Sequence, residues 1–175
     1  MKVAIVVGSE NDLEILNEAC ETLEKFGVGY YISITSAHRT PEKVKHFLEK
    51  AEKEGCEVII AAAGMSAHLA GVMAAHTIKP VIAVPIATGA LNGVDALYSM
   101  SQMPGGIPVA TVTIGKAGAK NAAILSVQIL ALKYPELKEK LNRYKIELAE
   151  NIVKKDNELQ EKGIKKFLED NKKTK

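Results

Sequence analysis

A short stretch of the sequence, residues 35–41, combines side chains that can bind an anion with one that can carry a proton. Arg39 offers a planar set of N–H donors that suits a phosphate group. His38, beside it, is the residue type whose ordinary pKa best fits proton transfer near neutral pH. Thr40 can cap a following helix and Pro41 suits the first helical turn. We therefore expect a loop that ends at a helix N-terminus, where anions are favoured.

A second polar loop, residues 8–12, follows the first apolar run of the chain. Ser9 or Asn11 can cap the helix that comes next. Asp12 has two possible uses, since a carboxylate in a first helical turn complements the helix dipole and can also accept hydrogen bonds from a ribose diol. On its own this loop is better explained by a plain strand-to-helix turn with an N-cap.

A third loop, residues 64–68, contains Ser66, Ala67 and His68. With the preceding alanines of residues 61–63, these small side chains could line a tight apolar pocket next to the imidazole of His68. A structural role as a hydrogen-bonded histidine stays open for both His38 and His68. The residues alone therefore indicate a phosphorylated small molecule and one proton-carrying histidine, and they leave the reaction unnamed.

The remaining histidines and the cysteines are expected to be structural. His46 and His76 fall within or at the end of predicted helices, and no His, Cys, Asp or Glu set has the spacing of metal ligands. Cys20 lies on the apolar face of a predicted helix and Cys56 opens a strand. Two cysteines do not form a disulfide framework, so a reducing cytoplasm is the expected setting.

The elements that position these loops are strands alternating with helices. Apolar runs predict strands at 3–7, 30–34, 58–63, 81–84 and 109–114, and helical periodicity predicts helices at 11–26, 41–54, 67–77, 94–102 and 119–132. This alternation predicts an α/β domain with a parallel sheet, a three-layer α/β/α sandwich of flavodoxin-like type. Ligands bind at the carboxyl edge of such sheets, where the three polar loops should meet.

The chain is predicted to have two parts, an α/β catalytic domain at 1–134 and a helical extension at 135–175. In the extension an apolar stripe of Leu137, Leu141, Tyr144 and Leu148 must pack on the domain or on another subunit. The lysine-rich terminus, residues 171–175, is expected to be solvated, although a role in nucleic-acid binding is the alternative.

The composition is that of an ordinary globular protein. The 175 residues are 47% hydrophobic and 25% charged, with a net charge of +2. This balance gives no indication of a nucleic-acid or membrane partner, and the short apolar run at the start of the chain is too short for a signal peptide or a membrane span.

The polar loops also carry a family resemblance. The motifs are Gly8-Ser9-x-x-Asp12, Ser36-Ala37-His38-Arg39-Thr40-Pro41, Ala67-His68-Leu69-x-Gly71, Gly93-Val94-Asp95-Ala96-Leu97 and Gln102-Met103-Pro104-x-Gly106-Ile107-Pro108. In this order and at these distances they resemble the N5-carboxyaminoimidazole ribonucleotide mutase (PurE) family of purine biosynthesis. The resemblance covers the chain from Val3 to about Leu132.

The resemblance implies an isomerase that moves a carboxylate from the exocyclic amine of an aminoimidazole ribonucleotide to ring carbon 4, as a homo-octamer without cofactor or metal. It implies His38 as the proton carrier and His68 near the reacting carboxylate. The implied substrate-binding residues are Ser9, Asn11, Asp12, Ser36, Arg39, Ser66 and Ala67.

Three positions depart from the family pattern: Asn11 replaces the frequent serine, Met65 the usual glycine and Ala70 the usual proline. Two other functions stay open. One is the carboxylase form of the same family, which uses free carbon dioxide and the uncarboxylated ribonucleotide. The other is a non-catalytic flavodoxin-like nucleotide-binding domain, which would leave the His38–Arg39 pair without a use.

Overall fold

The computed structural model describes residues 1–172 and groups them into two compact units, one of Met1–Leu137 and one that begins at Lys138. The domain organisation predicted above, with a boundary between 134 and 135 and an extension that packs on the domain or on a neighbour, stays a prediction. Of the lysine-rich terminus, residues 173–175 lie outside the described residues.

The first unit contains one five-stranded sheet in which every pair of neighbouring strands is parallel. The strands are β1 (Lys2–Val7), β2 (Gly29–Ile34), β3 (Cys56–Gly64), β4 (Val81–Ile86) and β5 (Ala110–Thr111), in the spatial order β2-β1-β3-β4-β5. This order is the flavodoxin-like one, and the predicted fold class is confirmed.

Helices connect the strands and cover both faces of the sheet. They are α1 (Leu13–Phe26), α2 (Pro41–Lys53), α3 (Leu69–Ala75), α4 (Val94–Ser101) and α5 (Lys116–Leu130). Helices α1 and α5 pack against each other on one face. On the other face Val44 and Phe47 of α2, Met73 of α3 and Met100 of α4 form a continuous buried cluster with the strands.

Several predicted boundaries were wrong by two residues or more, and three of them have a clear local cause. The fifth strand pairs with β4 only through Ala110 and Thr111, so it is an edge strand much shorter than 109–114. Helix α3 begins at Leu69 and not at residue 67, because the Ala67 N–H bonds the Met65 carbonyl at 2.8 Å and keeps this segment in a loop. Helix α5 begins early, at Lys116, directly after Gly115, whose φ of 76° ends the preceding turn.

A glycine ends helix α1 at the predicted residue, and the packing expected for the cysteines is confirmed. Gly27 adopts a left-handed φ of 72° at the end of α1, and the following Val28 N–H bonds the Leu23 carbonyl at 2.9 Å. Glycine reaches this conformation without steric cost, which ends the helix. Cys20 and Cys56 are both free and buried.

The strand order places a crevice at one point of the sheet. The chain goes from β1 outward to β2 and then returns past β1 to β3, so the direction of winding changes between β1 and β3. Loops that leave the carboxyl ends of those two strands diverge, and such switch points are where open α/β sheets bind ligands. The loops after β1 and β3 are two of the three polar loops.

The second unit is helical, as predicted. It belongs to α6 (Glu136–Lys172), whose helical backbone is broken at Gly163 (φ 71°, ψ 160°). Large apolar side chains are exposed along it, including Leu148 of the predicted apolar stripe: Ile146, Leu148, Ile152, Val153, Ile164 and Leu168. None of the helices in residues 1–172 is long and apolar enough to cross a membrane.

Candidate active site

The three polar loops line one cleft of about 590 Å³ at the carboxyl edge of the sheet. All nine residues predicted for the site contribute to it: Ser9, Asn11, Asp12, Ser36, His38, Arg39, Ser66, Ala67 and His68. The structure therefore brings together side chains that are up to 59 positions apart in the sequence. Of the alanines expected beside them, Ala63 lines the cleft, while Ala61 and Ala62 are fully buried in β3.

The loop after β1 is held in shape by its own hydrogen bonds. The Gly8 N–H bonds the Ala62 carbonyl at 2.9 Å, which continues the β1–β3 ladder by one residue. Ser9 then caps a single 3₁₀ turn, Glu10–Asp12, with its Oγ accepting from the Asn11 N–H at 3.4 Å. Ser9 therefore caps the turn that leads into α1, while α1 itself begins after Asp12 with no side-chain cap from Ser9 or Asn11. The Asn11 side chain is exposed at the cleft.

Asp12 is the buried carboxyl of the site. Its side chain lines the cleft although the residue is only 4% exposed. Burial raises the pKa of the Asp12 carboxyl above its ordinary value, and a hydrogen bond with the Ser9 backbone offsets part of that rise. A carboxylate held in this way has acceptor capacity available to hydroxyl groups of a ligand.

Arg39 joins the first two loops. Its Nη2 donates to the Gly8 carbonyl at 3.1 Å and its Nε to Ser36 Oγ at 3.4 Å, while the Arg39 backbone N–H donates to the same Ser36 oxygen at 3.2 Å. A guanidinium has five N–H donors, so these contacts fix its plane and leave donors for an anion.

The predicted capping role of Thr40 was wrong. Thr40 occupies the position before α2, but its hydroxyl donates to the Ser36 carbonyl at 2.9 Å and accepts from the Ser36 N–H at 3.1 Å. The hydroxyl thus stabilises the turn of residues 36–40 and does not cap the N-terminus of α2. Pro41 is the first residue of α2, as predicted, and has no N–H that needs a partner.

Two imidazoles lie near each other in the cleft. The ring centroids of His38 and His68 are 6.0 Å apart and the ring planes are inclined by 40°. Both residues are exposed to solvent. By contrast, His46 bonds the Glu42 carbonyl of its own helix at 3.0 Å, and His76 ends α3, so neither belongs to the cleft.

Two residues outside the three polar loops also line the cleft, Leu69 and Thr88, and the sequence interpretation assigned neither of them to the site. A Cβ at Gly64 would collide with the Thr88 hydroxyl, so only glycine allows this close approach. Met65 has a left-handed φ of 57°, which explains why a glycine suits this position. The signal for Thr88 was available, because a hydroxyl residue after the fourth strand lies at the same sheet edge as the three loops.

Metal ligands are absent from the described part of the chain: no three His, Cys, Asp or Glu side chains within residues 1–172 are grouped so that they could hold an ion. The cleft instead offers a guanidinium, hydroxyls, a buried carboxyl and two imidazoles beside small apolar side chains. This set can bind a phosphate and a polyol and can transfer protons.

Comparison with known proteins gives consistent similarities. A family model described as AIR carboxylase matches residues 2–151. The N5-carboxyaminoimidazole ribonucleotide mutase of Pyrococcus horikoshii is 52% identical over 166 residues, which cover 95% of this chain and 93% of the relative. The mutase of Escherichia coli K12 is 51% identical over 144 residues, covering 82% and 85%. A crystal structure of Treponema denticola PurE matches with a TM-score of 0.82 at 32% identity, covering 90% of this chain and 98% of that one.

Proposed function

The chain belongs to the AIR carboxylase family, and from this membership and the contents of the cleft we propose that it is an N5-carboxyaminoimidazole ribonucleotide mutase of purine biosynthesis. The observation that carries the proposal is the convergence in one cleft of an anion-binding pair, a buried carboxyl and two neighbouring imidazoles. Each of these groups has a counterpart in a ribonucleotide that undergoes proton-dependent carboxylate transfer.

The phosphate end of the substrate is assigned to Arg39, with Ser9 and Ser36. The guanidinium is already oriented by the Gly8 carbonyl and Ser36 Oγ, so little side-chain entropy is lost when an anion binds. Asp12 is assigned to the ribose hydroxyls, because a carboxylate accepts two hydrogen bonds from a diol in a fixed geometry. The exposed side chain of Asn11 adds polar contacts at the same end of the cleft.

The carboxylate that moves is assigned to the wall formed by Ser66, Ala67 and His68. Ala67 is buried and small, and the neighbouring Ala63 is equally small. In the first step the bond between the exocyclic nitrogen and the carboxylate breaks, carbon dioxide leaves, and its electron pair remains on the nitrogen, which takes a proton. A small water-poor wall holds the carbon dioxide near ring carbon 4 until the second bond forms.

His38 is assigned as the proton carrier. As imidazolium it gives the proton that the exocyclic nitrogen needs. Once ring carbon 4 has attacked carbon dioxide and the new carbon–carbon bond has formed, the neutral imidazole takes the remaining proton from that carbon. The two transfers cancel, so His38 ends each cycle protonated as it began, which is the behaviour of a general acid–base catalyst.

Assembly and location complete the proposal. We expect a homo-octamer that works in the cytoplasm. Support for association comes from the exposed apolar side chains of Leu91, in the turn before α4, of Val94 and Tyr98 on α4, and of the residues along α6. Two buried, free cysteines fit a reducing compartment.

The experiment that tests the function follows the carboxylate. The carboxylated ribonucleotide, labelled at its carboxylate carbon, is supplied without ATP or added metal in a buffer with excess unlabelled bicarbonate. A mutase retains most of the label in the product. A carboxylase exchanges the label with the buffer and forms product readily from the uncarboxylated ribonucleotide and carbon dioxide, and that result would replace the proposed function with its alternative.

A further inference from the structure

Thr88 is a hydroxyl-bearing residue of the cleft that the proposed mechanism does not yet use. It follows β4 by two positions, and its backbone N–H bonds the Ile86 carbonyl at 3.0 Å, which turns the chain at the sheet edge. The residue is partly exposed and lines the cleft. Within residues 1–172 its hydroxyl has no hydrogen-bond partner.

This hydroxyl occupies space that only a glycine leaves open. Thr88 Oγ1 occupies the space that a Cβ of Gly64 would need, and the Thr88 Cβ and the Ile86 carbonyl are only 3.1 and 3.2 Å from that point. The hydroxyl therefore lies directly against the end of β3, next to Ala63 and the loop that leads to His68. A hydroxyl without a partner at this point of the cleft is available to donate to a ligand group that binds there.

We propose that Thr88 is a positioning residue for the migrating carboxylate, donating its O–H to a carboxylate oxygen of the bound ribonucleotide and then to the released carbon dioxide. This rests on the proposed function. The wall beside it is made of small apolar side chains. A carboxylate that binds against such a wall loses its hydrogen bonds to water and needs donors from the protein to replace them. Thr88 transfers no proton; it keeps the reacting carbon facing the ring while the nitrogen–carbon bond breaks and the carbon–carbon bond forms.

The test compares two substitutions of the same residue. T88V removes the hydroxyl and keeps the shape of the side chain, whereas T88S keeps the hydroxyl. A hydrogen bond to a charged group corresponds to roughly a 10- to 100-fold effect, so we expect T88V to lower kcat by about that factor and to release more label to the buffer. The affinity for the uncarboxylated ribonucleotide, which lacks the carboxylate, should change less than about threefold. T88S should restore turnover and label retention.

Thr111 provides the matched control. Its hydroxyl is also without a hydrogen-bond partner in the described part of the chain, but Thr111 lies in β5 and does not line the cleft. T111V should leave kcat and label retention unchanged. If T88V fails to fold, judged by its thermal transition, the same comparison is made between T88A and T88S.

Equal kcat and equal label retention in T88V and the wild type would overturn the role of Thr88 while the mutase function stands. Loss of the label by the wild type itself would instead contradict the mutase function. In that case a defect of T88V in carboxylating the uncarboxylated ribonucleotide, restored by T88S, would still support Thr88 as the group that positions the carboxylate.

Discussion

The imidazole rings of His38 and His68 lie with their centroids 6.0 Å apart, although His38 follows β2 and His68 precedes α3. The strands that lead to them are not neighbours, because β1 lies between β2 and β3 in the sheet. A substrate group bound beside one ring is therefore close to the other as well. This arrangement allows one histidine to move protons while the second contacts the carboxylate.

The first prediction concerns His38. H38N keeps a polar side chain of similar size but removes the titratable group, so we expect turnover to fall by about 10² to 10⁴-fold, the usual range for a general acid–base residue. Ribonucleotide affinity should stay within a few-fold, measured by calorimetry. H46N is the matched control, because His46 lies on α2 outside the cleft. Near-normal turnover of H38N would remove His38 from the mechanism.

The second prediction concerns the buried carboxyl of Asp12. Its pKa is raised in the folded protein, chiefly by burial. Below the ordinary carboxyl pKa, near 3.9, Asp12 is neutral in both states and costs no stability. As the pH rises, the Asp12 carboxyl ionises in the unfolded chain before it ionises in the folded protein. The free energy of unfolding therefore falls between the unfolded and the folded pKa, and above the folded pKa the loss stays constant. D12N removes this loss.

Unfolding by urea at a series of pH values measures the effect. The free energy of unfolding of D12N relative to wild type should be higher at pH 7 than at pH 3, while ribonucleotide affinity falls about 10- to 100-fold through loss of charge-assisted hydrogen bonds. E10Q removes an exposed carboxylate from the same turn, and its stability should stay within about 0.5 kcal/mol of wild type. A D12N–wild-type difference that does not change with pH would contradict the burial argument.

The sequence predicted the parts of this protein that depend on local chemistry. Apolar runs, Gly27 after α1 and Pro41 at the start of α2 identify elements without knowledge of the rest of the fold. The residues that line the cleft were predictable because they follow strands whose carboxyl ends share one edge.

What the sequence did not predict depends on contacts between distant segments. Whether the Thr40 hydroxyl bonds a helix N–H or the Ser36 carbonyl depends on the conformation of the whole loop. The closeness of Thr88 to Gly64 follows from the register of β3 against β4, which pairs Gly64 with Ile86. Neither relation leaves a pattern in a single stretch of sequence.

The third prediction concerns the backbone strain at Met65. A left-handed φ strains the backbone of a residue with a side chain by about 1–2 kcal/mol. Glycine removes this strain but loses more conformational entropy on folding, which costs roughly 0.5–1 kcal/mol. Met65 has a φ of 57° and is 60% exposed, so little packing is lost with its side chain. We expect M65G to raise the free energy of unfolding by about 0.5–1 kcal/mol. M65A is the control, since it removes the side chain and keeps the strain; equal stabilities of M65G and M65A would contradict the explanation.

The last prediction concerns assembly through the start of α4. Val94 and Tyr98 are separated by one helical turn and are 45% and 62% exposed, so they present adjacent apolar surface. In a closed, symmetric oligomer such a surface is buried against another subunit. We expect light scattering at micromolar concentration to give about eight times the mass of one chain.

Y98E would place a charge in that interface, and the mass of this variant should fall towards that of smaller species. K45Q also changes the charge by one unit, on the exposed side of α2, and its mass should equal that of wild type. A wild-type protein that is monomeric at this concentration would contradict the assembly, whereas an intact Y98E oligomer would move the interface away from α4.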